Sequence, residues 1–109
     1  MAIEYKTLGQ AALAATTNTD VYTVGAGKST VVSTIVICNR SSSAASYRIA
    51  VRPSGQALAN KHYIAYDVAV GASDSTTLTL GITVAATDVI TAYASSANLS
   101  ISIFGSEIN

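Results

Sequence analysis

Chemistry in this chain has few side chains to draw on. Its 109 residues hold six Lys and Arg, six Asp and Glu, one histidine and one cysteine. Gly25-Ala26-Gly27-Lys28-Ser29-Thr30 ends as a phosphate-binding loop ends, in Gly-Lys-Ser. Such a loop also needs a glycine five residues before that Gly, so that the backbone can wrap the phosphates, and a helix after it, whose N-terminal amides hold the anion. Tyr22 occupies the first position, and the strand-forming run Val31 to Cys38 fills the place of the helix. A glycine turn between two strands accounts better for the segment.

His62 is the single imidazole and Cys38 the single thiol. A nucleophilic thiolate needs surroundings that lower its pKa. Cys38 instead closes an apolar β run, where cysteine packs as a small hydrophobe. His62, next to Tyr63, reads as a strand-edge or interface residue. Of the carboxylates, Glu4, Asp74, Asp88 and Glu107 fall in turns or near the chain ends, so turn chemistry explains them. No two of the six have the spacing of an acid–base couple, and no cluster supplies a calcium site. Arg48 and Arg52 share the polar face of one alternating segment, and Arg40 precedes it. Their planar forks suit paired hydrogen bonds at an interface, although a solvated strand face fits the same pattern. No catalytic, cofactor or metal residue is assigned, and the chain is expected not to be an enzyme. Met1-Ala2-Ile3-Glu4-Tyr5-Lys6 lacks the basic stretch and long apolar core of a secretory signal, so Asn39-Arg40-Ser41 and Asn98-Leu99-Ser100 are expected to match the glycosylation acceptor pattern by chance.

The elements that carry these residues alternate with period two. Val21–Val24, Ser29–Cys38, Tyr47–Arg52, His62–Val70, Thr76–Val84, Val89–Ala94 and Leu99–Phe104 all read as strands. Turn residues separate them every ~8–12 positions, as in an antiparallel sandwich. In Ser29–Cys38, Val31, Ser33, Ile35 and Ile37 lie on one face and Val32, Thr34, Val36 and Cys38 on the other. Both faces are largely apolar, so the strand is expected to be covered on both sides. Tyr47, Ile49 and Val51 oppose Arg48, Ala50 and Arg52. Ile64, Tyr66, Val68 and Val70 oppose Tyr63, Ala65, Asp67 and Ala69. Leu78, Leu80, Ile82 and Val84 point inward, with a bulge or bend expected at Gly81. The Ala-rich stretch Gln10–Thr16 is too short for a stable helix and reads as a turn or extended arm. The expected fold is all-β: a single antiparallel β-sandwich, jelly-roll-like or Ig-like, of about seven to eight strands. Residues 1–20 form an N-terminal arm or edge segment and residues 21–109 the sandwich domain.

Composition narrows the function classes. Only 11% of residues are charged and the formal net charge is zero. A nucleic-acid binder normally shows a basic excess, and a disordered chain shows low hydrophobicity with high charge. No apolar run reaches the ~18 residues of a membrane span, so neither nucleic acid nor membrane is expected as a partner. So little charge leaves faces and sheet edges poorly defended against other chains. Self-association is the expected remedy, with Val32, Val36, Arg48, Arg52, His62 and Tyr63 as the candidate interaction surface.

Several segments are distinctive when taken together: Leu8-Gly9-Gln10, Val21-Tyr22-Thr23-Val24 with Gly25-Ala26-Gly27-Lys28, and Thr34-Ile35-Val36-Ile37-Cys38 running into Asn39-Arg40. To these are added Tyr47-Arg48-Ile49-Ala50-Val51-Arg52-Pro53, the run Ala57 to Asp67, Leu78 to Thr83, and Phe104-Gly105-Ser106-Glu107-Ile108. The chain resembles small β-rich virion structural proteins of tailed bacteriophages of the cyanophage and marine phage type. The resemblance implies a part of a phage particle, made in the bacterial cytoplasm and ending in the virion. A capsid decoration or cement protein is the first expectation, and a tail, baseplate or fibre module the second. The implied partners are further copies of the chain, as in a trimer, and virion proteins such as the major capsid protein or tail components. A receptor- or carbohydrate-binding module is a further alternative, because exposed tyrosines such as Tyr5, Tyr63 and Tyr93 can stack on sugars.

Overall fold

Short alternating runs of β-branched residues, cut by Gly, Asn, Asp and Ser, leave the backbone little choice but paired strands. In the computed structural model, which describes residues 2–109, they form nine. These are β1 (Ile3–Ala12), β2 (Thr19–Thr23), β3 (Ser29–Asn39), β4 (Ala45–Arg52), β5 (Tyr63–Val70), β6 (Ser75–Leu78), β7 (Ile82–Val84), β8 (Val89–Ala94) and β9 (Leu99–Ile108). Sheet I has the order β1-β9-β3-β6, with β7 also on β3; sheet II has the order β2-β8-β4-β5. All the strand pairings are antiparallel.

The pairing has a simple logic. β1 pairs with β9, β2 with β8, β3 with β6 and β7, and β4 with β5. The chain is thus one long antiparallel hairpin with its tip between β4 and β5, rolled so that β9 also meets β3 and β8 also meets β4. That is jelly-roll topology, which decides between the two sandwiches the sequence allowed. β6 and β7 are one interrupted strand. Gly81, at φ +63, marks the break, and Leu80, expected inward, is turned out to 54% exposure. β1, read as arm or edge, is an edge strand zipped along β9, and this pairing carries β9 on to Ile108. Residue 1 of that segment lies outside the described residues.

The core lies between the sheets. Val32, Ile35, Ile37, Leu99, Ile101 and Ile103 from sheet I meet Tyr47, Ile49, Val70 and Ile90 from sheet II, all nearly or fully buried. Each such side chain contributes about 1.5–3 kcal/mol through burial. Leu13, in the Ala-rich stretch, is buried too and ties the β1–β2 connection to the core.

Bulges decide which side chains face that core. In β3 the register against β9 slips between Val32 and Thr34. Ser33 is the extra residue, so Val32 and Ile35 both point inward although three positions apart. Gly105 sits opposite Val32, where a Cβ would be driven into the Val31 carbonyl. Only glycine lets the bulged strand approach this closely. In β5 a second slip sets Val68 opposite Tyr47 and Ala65 opposite Ile49, with Tyr66 and Asp67 between them. Asp67 adopts φ +51, a left-handed conformation that costs about 1–3 kcal/mol outside glycine.

Candidate interaction surfaces

The two outer faces of the sandwich differ in kind. Register assigns the outer face of sheet I to Tyr5, Thr7, Gln10 and Ala12 of β1, and to Ser100, Ser102, Phe104 and Ser106 of β9. Val31, Thr34, Val36 and Cys38 of β3, Ser75 and Thr77 of β6, and Thr83 of β7 complete it. By register no Asp, Glu, Lys, Arg or His points to this face among the described residues, and only Lys6 reaches its margin. It is open: Tyr5 is 85% exposed, and the Cys38 thiol is free and exposed. Two shallow hollows cross it. One, of about 480 Å³, is lined by Tyr5, Thr7, Val31, Ser33, Phe104 and Ser106; the other, of about 320 Å³, lies along Gln10 and Ser102. Lys6 borders the first hollow, but its ammonium reaches Glu107, 3.0 Å away.

That carboxylate shows why charge is missing outside. Glu107 follows the inward register of Thr30 and is nearly buried. Tyr22 Oη donates to its Oε2 at 2.9 Å and lies 2.6 Å from Thr30 Oγ1. Lys28 Nζ joins Lys6 on Oε1, at 3.4 Å. The bonds from Lys6 and Tyr22 hold the Glu107 carboxyl down at about 2, outweighing the effect of burial. Lys6 is raised in turn, chiefly through its hydrogen bond to Glu107. Glu107 is therefore a structural anion at one end of the sandwich, not the turn carboxylate that its place near the chain end suggested.

Sheet II is charged and aromatic outside. Arg48 Nε and Nη2 donate to the two oxygens of Asp67 at 2.6 and 3.3 Å. Its guanidinium stacks on Tyr66 and Tyr93, at 4.2 and 4.4 Å from the ring centres. The Asp67 hydrogen bond raises the Arg48 pKa beyond its already high ordinary value. Arg52 gathers a second group: Nε donates to Thr91 Oγ1 at 3.0 Å, Nη2 to Asp20 Oδ1 at 2.9 Å, and Nη1 to the Gln56 carbonyl at 2.8 Å. That last bond ties down the segment Pro53–His62, which packs on β4 and β8. Its second 3₁₀ turn, Asn60–His62, buries the imidazole. His62 Nδ1 accepts the Ala59 N–H at 3.1 Å, so the ring proton of the neutral form sits on Nε2.

The candidate residues therefore separate. Val32 is in the core, 1% exposed, while Val36 is half-buried on the outer face of sheet I. The bulge at Ser33 breaks the alternation that put them on one face. The outer side of β3 is open in the single chain, not covered as its apolar character suggested. Arg48, Arg52 and Tyr63 stay together on sheet II, with both arginines engaged internally. His62 is not a surface residue. Sequence reasoning missed Tyr66 and Asp67 as partners of Arg48, because the β5 bulge cannot be read from composition. Asn39 spans the turns: its side-chain N–H groups donate to the carbonyls of Ser43, Val70 and Gly71, and its Oδ1 accepts from Ser41. The Gly25–Lys28 segment is a plain turn, with the Lys28 N–H on the Gly25 carbonyl at 3.2 Å and Gly27 at φ +74.

No protein-family model and no curated protein matches this chain. Among the described residues no three His, Cys, Asp or Glu side chains gather as metal ligands, and no helix is long and apolar enough to cross a membrane. The feature with the widest reach is the uncharged outer face of sheet I. Charged groups are depleted from the centres of protein interfaces because desolvating them is expensive. β1, β9 and β3 are ten or eleven residues long and the β6–β7 pair adds four and three; at ~4.8 Å between strands and ~3.3 Å per residue this face has a footprint of roughly 600 Å². That is of the same order as the ~800 Å² per partner of a standard interface.

Proposed function

We propose that the chain is a structural protein of a tailed-bacteriophage virion, acting as a decoration or cement protein of the capsid. It works by adhesion: the outer face of sheet I is buried against further copies of the chain or against the shell. The observation that supports this reading is the absence of charge from that face, which leaves hydroxyls, amides and apolar groups for a neighbour to cover. The resemblance of many short segments to small phage virion proteins supplies the kind of particle. Jelly rolls serve in both viral shells and lectins, so the fold alone carries no function.

Cryo-electron microscopy of the phage whose genome encodes the chain tests the reading. The expected result is density for the sandwich at symmetry-related sites on the capsid, with the outer face of sheet I in contact. Density in the tail or baseplate would move the protein to the second structural role. Its absence from purified particles would overturn the proposal.

A further inference from the structure

The other sheet carries a second, smaller feature. The hollow of about 360 Å³ at β5 is lined by Asn60, Tyr63 and Tyr66, at the small end of the ~300–1,000 Å³ range of ligand clefts. The two rings stand at 84° with centres 4.9 Å apart, so they pack edge to face and meet in a corner, with an exposed carboxamide beside it. Tyr66 is 55% exposed.

Each wall is fixed in advance. The bulge at Tyr66 and Asp67 turns Tyr66 onto the outer face, and the strained φ of Asp67 is part of that turn. Arg48, held by both oxygens of Asp67, braces Tyr66 against Tyr93. Asn60 opens the 3₁₀ turn that closes with the His62 N–H on the Ala59 carbonyl at 3.0 Å, and the buried imidazole of His62 ties the turn down by accepting the Ala59 N–H. A corner made in advance loses little entropy when it is filled.

We propose that this corner binds a neutral pyranose sugar. The lining contains no charged side chain, so it does not select a phosphate or a carboxylate. Tyrosine π-faces are negative and attract the polarised C–H face of a saturated ring. The two rings touch each other edge to face and Arg48 already lies over Tyr66, so the sugar stacks on a single tyrosine face rather than between two. The Asn60 carboxamide offers one acceptor and two donors, the complement of neighbouring hydroxyls. A proline-rich peptide needs a groove with repeated aromatic pockets, and this hollow is a single corner. The site lies on sheet II, so it stands or falls independently of assembly through sheet I.

The test is a titration of the ¹⁵N-labelled full chain, followed by amide chemical shifts, with methyl β-D-galactopyranoside, methyl β-D-glucopyranoside and methyl α-D-mannopyranoside. At least one sugar is expected to shift Asn60, Tyr63 and Tyr66 saturably, with a millimolar Kd. Tyr66→Ala and Asn60→Ala each weaken binding at least tenfold while the far-UV circular dichroism is unchanged. Tyr5→Ala, on the opposite sheet, leaves binding as it was. The proposal is overturned if none of the three sugars shifts these residues, if the shifts survive in both corner variants, or if a proline-rich peptide saturates the corner where the sugars do not.

Discussion

Val32 and Val36 are four residues apart on one strand, and an unbroken strand would put both on the same face. The bulge at Ser33 separates them, so the same substitution has opposite consequences at the two positions. Val32→Asp forfeits about 1.5–3 kcal/mol of side-chain burial. It also places a carboxyl at a position 1% exposed, which adds several kcal/mol whether the group stays ionised or takes up a proton. The sum approaches or exceeds the whole stability of a small domain, about 5–15 kcal/mol, so this variant is expected to be unfolded or nearly so. Val36→Asp puts the same carboxyl on an open face and changes monomer stability by only about 0.5 kcal/mol. It does bring like charges together wherever two copies meet through sheet I, and it weakens that contact. Urea unfolding by circular dichroism reads the first effect, and sedimentation velocity across a concentration series reads the second. Equal destabilisation by the two substitutions would refute the bulge assignment. A folded Val36→Asp chain that associates like the parent would refute sheet I as the contact face.

Glu107 is held at about 2 against an ordinary value of 4.5, so the unfolded chain binds the extra proton first. Its stabilising effect is complete above about pH 4.5 and fades as the pH falls towards 2; Glu107→Gln is expected to flatten that limb of the stability–pH curve, read from urea midpoints. Gly105→Ala pushes a methyl into the Val31 carbonyl and is expected to lower stability by about 1–3 kcal/mol, whereas Gly27→Ala meets no atom and suffers only from its positive φ. The Cys38 thiol, exposed on the outer face of sheet I, is expected to react freely with iodoacetamide in dilute protein and several-fold more slowly once copies associate. Unchanged reactivity across the association range would argue for a different contact face.

Alternation, turn residues and the lack of any helical period made the sandwich legible in the sequence, because each strand with one buried face must alternate. The strand Ile3–Ala12 was harder to see. Its residues, Ile3-Glu4-Tyr5-Lys6-Thr7-Leu8-Gly9-Gln10-Ala11-Ala12, show no clean run of β-branched types, and what makes it a strand is its pairing with β9 at the other end of the chain. The bulges were invisible for a related reason: Ser33 is an ordinary residue in a strand, and only the near approach permitted by Gly105 makes the slip possible. Gly81 announced its break because glycine alone accepts its φ without strain. Arg48 and Tyr63 could be picked out as surface residues by type and spacing. Their grouping with Tyr66 and Asp67 could not, since it depends on a register set by β4. His62 looked available from its neighbours in sequence and is buried by the folding back of its own loop.

A contact face without ions has nothing for dissolved salt to screen. Ion-paired interfaces loosen as ionic strength rises and the Debye length shortens. A joint made through the outer face of sheet I keeps its grip from fresh water to brine, and strongly hydrated anions such as sulfate tighten it by favouring burial. Lys6, Lys28, Arg48 and Arg52 are paired with carboxylates of the same molecule, where a change of medium alters the stability of each copy more than the bond between copies.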